Sequence, residues 1–212
     1  MKTSLKGILA ILDEEALVLS TYKDSKGVLT IGVGHTAAAG GLAPKPGNRI
    51  TIEHAISLFA SDLAKFERRV EKSVAHVLAV HQNDALVSFD FNTGAIEGGS
   101  VDEKIEANNF DAAMNALQQY KKSGGIVLPG LVKRRARERA MFERGEYPAV
   151  SHIKVYDRMP GKMRKVAVSS LDLSAFASGA QTPAGSATPA NKPRGLLAAL
   201  IDLFHAIFKR RT

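Results

Sequence analysis

Cysteine is missing altogether from the 212 residues. Disulfides and thiolate metal sites are therefore excluded, and the chain tolerates a reducing or an oxidising compartment. No apolar run approaches the roughly 18 residues of an ordinary membrane span. The opening stretch MKTSLKGILAILDEE also falls short of a signal peptide. Its apolar run ends in three acids, and no small-residue cleavage site follows. It reads as an amphipathic first helix instead. Internal repeats are missing too. The histidines are scattered, so no metal site is expected. Gly32 and Gly34 lack the third glycine and the following helix of a dinucleotide loop.

What is present suits a folded chain. Hydrophobic residues make up 45% and charged residues 24%, enough for one compact domain plus an appendage. The net charge of +8 is uneven. Residues 151–212 hold 10 Lys and Arg against 3 Asp, whereas residues 1–150 hold 19 Lys and Arg against 18 Asp and Glu. A nearly neutral body thus carries a basic tail. Solubility alone explains such a tail; an anionic partner (a membrane surface, lipopolysaccharide or nucleic acid) is the sharper reading.

Local patterns give the elements. Leu5, Ile8, Leu9 and Leu12 recur at helical spacing. LVLSTYKD and VLTIGVG are β-prone, with turn chemistry in DSKG between them. AAAGGLAPKPGNR is a loop. Thr51 caps a long helix whose Ile56, Phe59, Leu63, Phe66 and Val70 share one side. DALVSFDFNTGA reads as an apolar helix ending at Gly94. SVDEKIEANN and FDAAMNALQQYKKSGG read as two more, the latter stopped by Gly124 and Gly125. LPGLVKRRARERAMFERGEY is a last helix with Leu131, Val132, Ala136, Ala140 and Met141 inward and most of its arginines solvated. IKVYD and RKVAVSSLDL read as short strands. Residues 174–193 are rich in Ala, Ser, Gly, Thr and Pro, a linker composition. Leu196, Leu197, Leu200, Ile201, Leu203, Phe204, Ile207 and Phe208 then mark one face of an amphipathic helix followed by Lys209, Arg210 and Arg211.

Cleaving a glycosidic bond needs an acid for the leaving oxygen and a second group to handle water or the developing cation. Glu15, at the end of the first helix, and Asp24, at the hairpin turn, offer two carboxylates. Thr30, on the returning strand, can hold a water beside Asp24. Eight residues separate Glu15 from Asp24 and five separate Asp24 from Thr30. That spacing, with the flanking YKDSKGVLTIGVGHT, resembles the N-terminal signature of the phage-type lysozymes, the family of the T-even phage lysozyme. ITIEHAISLFASDLAKFERRV resembles that family's inter-lobe helix, LVSFDFNTGA its central buried helix, and GGIVLPGLVKRRARERAMF its closing segment. The resemblance covers roughly residues 1–147.

The resemblance implies an α+β, mostly helical, two-lobed lysozyme fold: a small N-terminal sheet lobe, an inter-lobe helix and a helical C-terminal lobe, with a C-terminal extension. It implies a glycoside hydrolase, a lysozyme or muramidase, that cleaves β-1,4 bonds of peptidoglycan, needs no cofactor and serves in host-cell lysis. Glu15 would be the general acid, Asp24 would activate water and Thr30 would help hold it. Ala16 stands where many members have Gly. Asp24 sets the chain apart from relatives that form an anhydro product without water. Gly32, His35, Asn92, Arg134 and Arg135 are candidates for substrate binding. For His35 a structural, hydrogen-bonded role competes, and for Asn92 a helix-ending one. Arg134 or Arg135 is expected to orient Glu15. The segments expected are a catalytic domain over 1–150, a short basic extension over 151–173, a linker over 174–193 and a basic amphipathic helix over 194–212. The partners expected are peptidoglycan and, through 194–212, an anionic membrane or lipopolysaccharide. No nucleic acid is expected, and the chain is expected to act as a monomer. Without an export signal the enzyme would collect in the host cytoplasm and reach the wall by holin-type release. Two readings stay beside this one: a membrane-active lytic protein working through its tail, and a non-catalytic wall-binding module.

Overall fold

The computed structural model describes residues 1–177. Most of the stretch read as a linker and all of the helix read over 194–212 lie outside the described residues. The architecture is mostly helical α+β with a small sheet. Two compact units divide the chain. One contains Leu12–Lys65 and the described residues from Ala149 onward; the other contains Met1–Ile11 and Phe66–Pro148. Among the described residues no helix is long and apolar enough to cross a membrane.

The first unit is built on a five-stranded sheet. Helix α1 (Leu5–Glu14) starts in the other unit and crosses into this one at Leu12, leading into β1 (Leu17–Lys23), β2 (Leu29–Gly32) and β3 (His35–Thr36). In α1, Ile8, Ile11 and Leu12 are buried, but Leu5, expected inward, is 55% exposed at the helix start. Strands β1 and β2 pair antiparallel, with Tyr22 opposite Thr30 and an irregularity between Val18 and Tyr22. Gly32 and Gly34 take φ of 65° and 73° in the β2–β3 turn, a conformation that costs other residues more than glycine.

Two further strands, β6 (His152–Tyr156) and β7 (Met163–Ala167), complete this sheet in the order β3-β2-β1-β6-β7. Strand β6 runs parallel to β1, placing Leu17 opposite Val155 and Val18 opposite Tyr156. Residues 151–173 are therefore no appendage to a body ending at residue 150. Ile153, Val155 and Tyr156 are buried, and apolar burial of this kind needs the rest of the sheet beneath it. The start of the expected linker is structured as well. Ser174–Ala177 forms a helical turn, α7, and the Phe176 ring meets Phe59 edge-on at 5.5 Å.

Helix α2 (Ile52–Ser73) starts in this unit and ends in the other. Thr51 Oγ1 accepts the His54 N–H at 3.2 Å, so the expected cap forms. Ile56, Phe59, Leu63, Phe66 and Val70 are buried along it, as its periodicity predicts.

The helical unit centres on α3 (Val80–Thr93), whose residues from Asn83 to Asn92 are all buried. Gly94 closes it in the left-handed conformation and donates its N–H to Asp90 O at 2.7 Å. Helices α4 (Ser100–Glu106) and α5 (Phe110–Leu117) follow. Helix α5 stops well before the two glycines expected to end it. Gly124 and Gly125 instead turn a two-stranded hairpin, β4 (Lys122–Ser123) and β5 (Ile126–Val127), with φ of 55° and 81°. Positive φ at both central residues is what a tight hairpin turn requires. Helix α6 (Pro129–Arg144) ends this unit.

The buried face of α6 also differs from the expected one. Val132 and Ala136 point to solvent, while Leu131, Arg134, Arg135, Glu138, Met141 and Phe142 are buried. Those six positions follow the helical period. Glu138 makes their charges compatible with burial. Its Oε1 lies 2.7 Å from Arg135 Nη2, 3.2 Å from Arg134 Nε and 2.9 Å from Ser88 Oγ. The Arg135 guanidinium also lies over the Phe89 ring, 5.2 Å from its centre.

Candidate active site

Glu15 follows the last residue of α1 and stands two residues before β1, so its backbone is set by a helix end on one side and a sheet on the other. It is only 3% exposed. Asp24 sits at the β1–β2 turn. Its Oδ1 accepts the backbone N–H groups of Lys26 and Val28, both at 2.8 Å. Its own N–H donates to Val28 O at 2.9 Å, and its carbonyl accepts the Gly27 N–H at 2.9 Å. The carboxyl group is thereby fixed to the turn through one oxygen, with Oδ2 left for other partners. Thr30 is buried on β2, and its hydroxyl donates to Val28 O at 3.1 Å. Asp24 and Thr30 thus share Val28 as their anchor.

Tyr22 belongs to the same neighbourhood. It lies opposite Thr30 in the sheet, two residues before Asp24. Burial, then the charges of Glu15 and Asp24, hold its phenol well above the usual tyrosine range. Nothing local marks Tyr22 within the YKD stretch, since Asp24 lies past the end of β1; only the pairing of β1 with β2 brings it opposite Thr30.

His35 is buried on β3 with both ring nitrogens occupied by protein. Nδ1 lies 2.7 Å from Asp62 Oδ2 and Nε2 lies 2.7 Å from Leu42 O. Burial pulls the imidazole pKa down, but the bond and charge of Asp62 and the Leu42 carbonyl outweigh it, so the net shift is upward. Having no ring nitrogen to offer a sugar, His35 fits the structural alternative. Asp62, 27 residues away, had no local signal in the sequence.

The remaining candidates lie in the helical unit. Asn92 is buried within α3 and Gly94, not Asn92, forms the helix cap. Arg134 and Arg135 are both tied to Glu138, and Arg134 Nη2 also donates to Ser88 O at 3.3 Å. In the same helix as Asn92, Asp90 is ion-paired with Arg69, Oδ2 to Nε 3.0 Å, and its Oδ1 accepts the Ile96 N–H at 3.1 Å. Burial raises its pKa to about 6 against the pull of Arg69.

Glu15 before the sheet and Asp24 and Thr30 at its first hairpin belong to one unit, and comparison with known proteins gives the family. A family model described as phage lysozyme matches residues 13–138. The endolysin of Salmonella phage P22 is 39% identical over 147 residues, which cover 67% of this chain and 98% of that protein. The solved endolysin from Escherichia coli O157:H7 phage FAHEc1 superposes with a TM-score of 0.63 at 31% identity, over 70% of this chain and 97% of that one. The muramidase domain of SpmX from Asticaccaulis excentricus gives 0.60 at 31% identity, over 67% and 97%. The chain belongs to the phage lysozyme family.

Proposed function

We propose that this chain, a peptidoglycan-hydrolysing endolysin by family, cleaves the β-1,4 bond between N-acetylmuramic acid and N-acetylglucosamine with inversion at the anomeric carbon. Glu15 protonates the leaving oxygen. Asp24 takes a proton from the attacking water, and Thr30 helps hold that water. The observation that carries this reading is the Asp24 turn. One carboxylate oxygen is pinned by two backbone amides, the other is left for water, and Thr30 is anchored to the same carbonyl. Inversion requires room for a water between Asp24 and the sugar, hence carboxyls roughly 6.5–9.5 Å apart.

Glu15→Gln keeps the shape of the side chain but cannot donate the proton. Turnover of purified peptidoglycan should fall at least about 100-fold with the fold intact. Residual activity within a few-fold of the parent would assign the acid to another residue. Nuclear magnetic resonance of fresh product should show the inverted anomer; a retained anomer would mean a covalent sugar intermediate instead.

Action at the cell wall follows from this substrate, and passage there through a holin-type pore belongs to the proposal. Residues 194–212 add an anionic-membrane contact to it on the strength of their sequence pattern. Co-sedimentation of the intact chain and of residues 1–177 with anionic and neutral liposomes tests that contact, and equal binding by both chains would remove it.

A further inference from the structure

The last turn of α1 carries Asp13 and Glu14 and no basic residue, and Glu15 follows at once. Three acids thus stand at the C-terminus of one helix. That end already bears partial negative charge, and its last four carbonyls have no partner inside the helix. Such an end is steadied by a cationic donor from elsewhere in the fold.

Strand β6 brings one. Lys154 Nζ donates to Asp13 O at 2.9 Å, across 141 positions of the chain. The side chain is carried by a firmly held strand. Its neighbours Ile153 and Val155 are buried, so Lys154 projects from the opposite face. Past Glu15 the same strand takes hold again. Leu17 lies opposite Val155 and Val18 opposite Tyr156 in the parallel ladder, and all four are buried. One strand therefore holds the chain two residues before Glu15 and again two and three residues after it. Only Glu14, Glu15 and Ala16 lie between the two holds. Strand β6 lies beyond the family match, which ends at residue 138.

We propose that β6 is a positioning element for the general acid and that Lys154 is its positioning residue. By fixing the Asp13 carbonyl, Lys154 sets where the Glu15 carboxyl stands against the leaving oxygen. It acts through Glu15 alone, and no proton passes through it. The proposal rests on the reading of Glu15 as the acid. An exposed ammonium on a helix end is a modest tether, so the displacement on losing it is a fraction of an ångström. Proton transfer to a leaving oxygen is sensitive to misplacement of that order.

The test is Lys154→Met in the full chain, assayed on purified peptidoglycan. Methionine keeps an unbranched stem and removes the donor and its charge. The kcat should fall roughly three- to tenfold, with KM within about twofold, since the sugar contacts are untouched. Lys154→Arg, which returns a charged donor to the helix end, should recover most of the lost kcat. A second measurement excludes stability and wall affinity as the cause. In a Glu15→Gln background the acid is gone and its position no longer matters. Adding Lys154→Met there should leave the residual rate within about twofold. Undiminished kcat in Lys154→Met, an equal loss in Lys154→Arg, a rise in KM in place of the fall in kcat, or a full repeat of the loss in the Glu15→Gln background would each overturn the proposal. Glu15→Gln by itself keeps the two readings apart. If it stays within a few-fold of the parent, the acid reading falls and this proposal with it. If it is inactive while Lys154→Met keeps full kcat, this proposal alone falls.

Discussion

His35 shows how one residue's bonds decide its charge. A carbonyl oxygen can only accept, so Nε2 facing Leu42 O must carry a proton. Nδ1 faces a carboxylate that also accepts. Both demands are met only by the imidazolium, in keeping with a pKa above 6.5. A histidine with a raised folded pKa contributes stability that is full below its unfolded pKa and is lost as pH rises through the folded one. Urea midpoints should therefore fall as pH climbs above about 6.5. In Asp62→Asn that slope should flatten, with a loss of about 3 kcal/mol at pH 6, typical of breaking a buried pair. An unchanged slope would place the pair's charge elsewhere. Asp90 works in the opposite direction. Its carboxyl is held at about 6 against an ordinary 3.8, so the folded state is favoured while that proton stays on and loses ground as pH rises from about 4 to 6. The stability of Asp90→Asn relative to the parent should accordingly improve over that interval, by about 2 kcal/mol for a shift of this size. A constant difference would show that the group titrates normally. At this scale the sequence was readable where chemistry is local. The spacing of Glu15, Asp24 and Thr30 was visible because all three sit within one hairpin and the helix before it. Asp62 was not visible, because only the folded chain brings it to His35.

Among the elements, the clearest departure is α6. Apolarity alone selects Val132 and Ala136 as inward positions, yet the helix turns Arg134, Arg135 and Glu138 in. The rotation is paid for by partners outside the helix, chiefly Ser88 and the Phe89 ring, and those lie 46 or more residues earlier. No window centred on α6 contains them. By contrast α2 was readable, since its cap and its buried stripe are both local. The β6–β7 hairpin falls between the two cases. Its strands were legible, but the parallel pairing of β6 with β1 was not, because the partner lies 138 residues upstream. A chain of residues 1–150 loses the buried Ile153, Val155 and Tyr156, each worth about 1.5–3 kcal/mol of burial. Its melting temperature should lie at least about 10 °C below that of residues 1–177. Equal values by calorimetry would show that the sheet holds without its last two strands.

For the molecule as a whole, charge and sheet coincide. The hairpin from β6 to β7 exposes Lys154, Arg158, Lys162, Arg164 and Lys165, with Asp157 as the acid among them. Surface charge of one sign acts over about 8–10 Å at ordinary ionic strength, so association with anionic wall material should weaken as salt rises. Charge reversal at Lys162 and Lys165 should reduce that salt dependence while leaving kcat nearly unchanged. A binding isotherm indifferent to salt would remove long-range charge from the encounter. The parallel pairing of β1 with β6 has a different consequence, one of timing. A ribosome releases the chain from its N-terminus, so Leu17 and Val18 emerge more than a hundred residues before Val155 and Tyr156. During that interval β2 can close on β1 from one side, and the other side of β1 stays an open strand edge. Long-range parallel pairing is among the slowest steps a chain can make. The sheet bearing Asp24 and Thr30 is therefore completed only once translation has passed residue 167, which makes the nascent enzyme a late-maturing one.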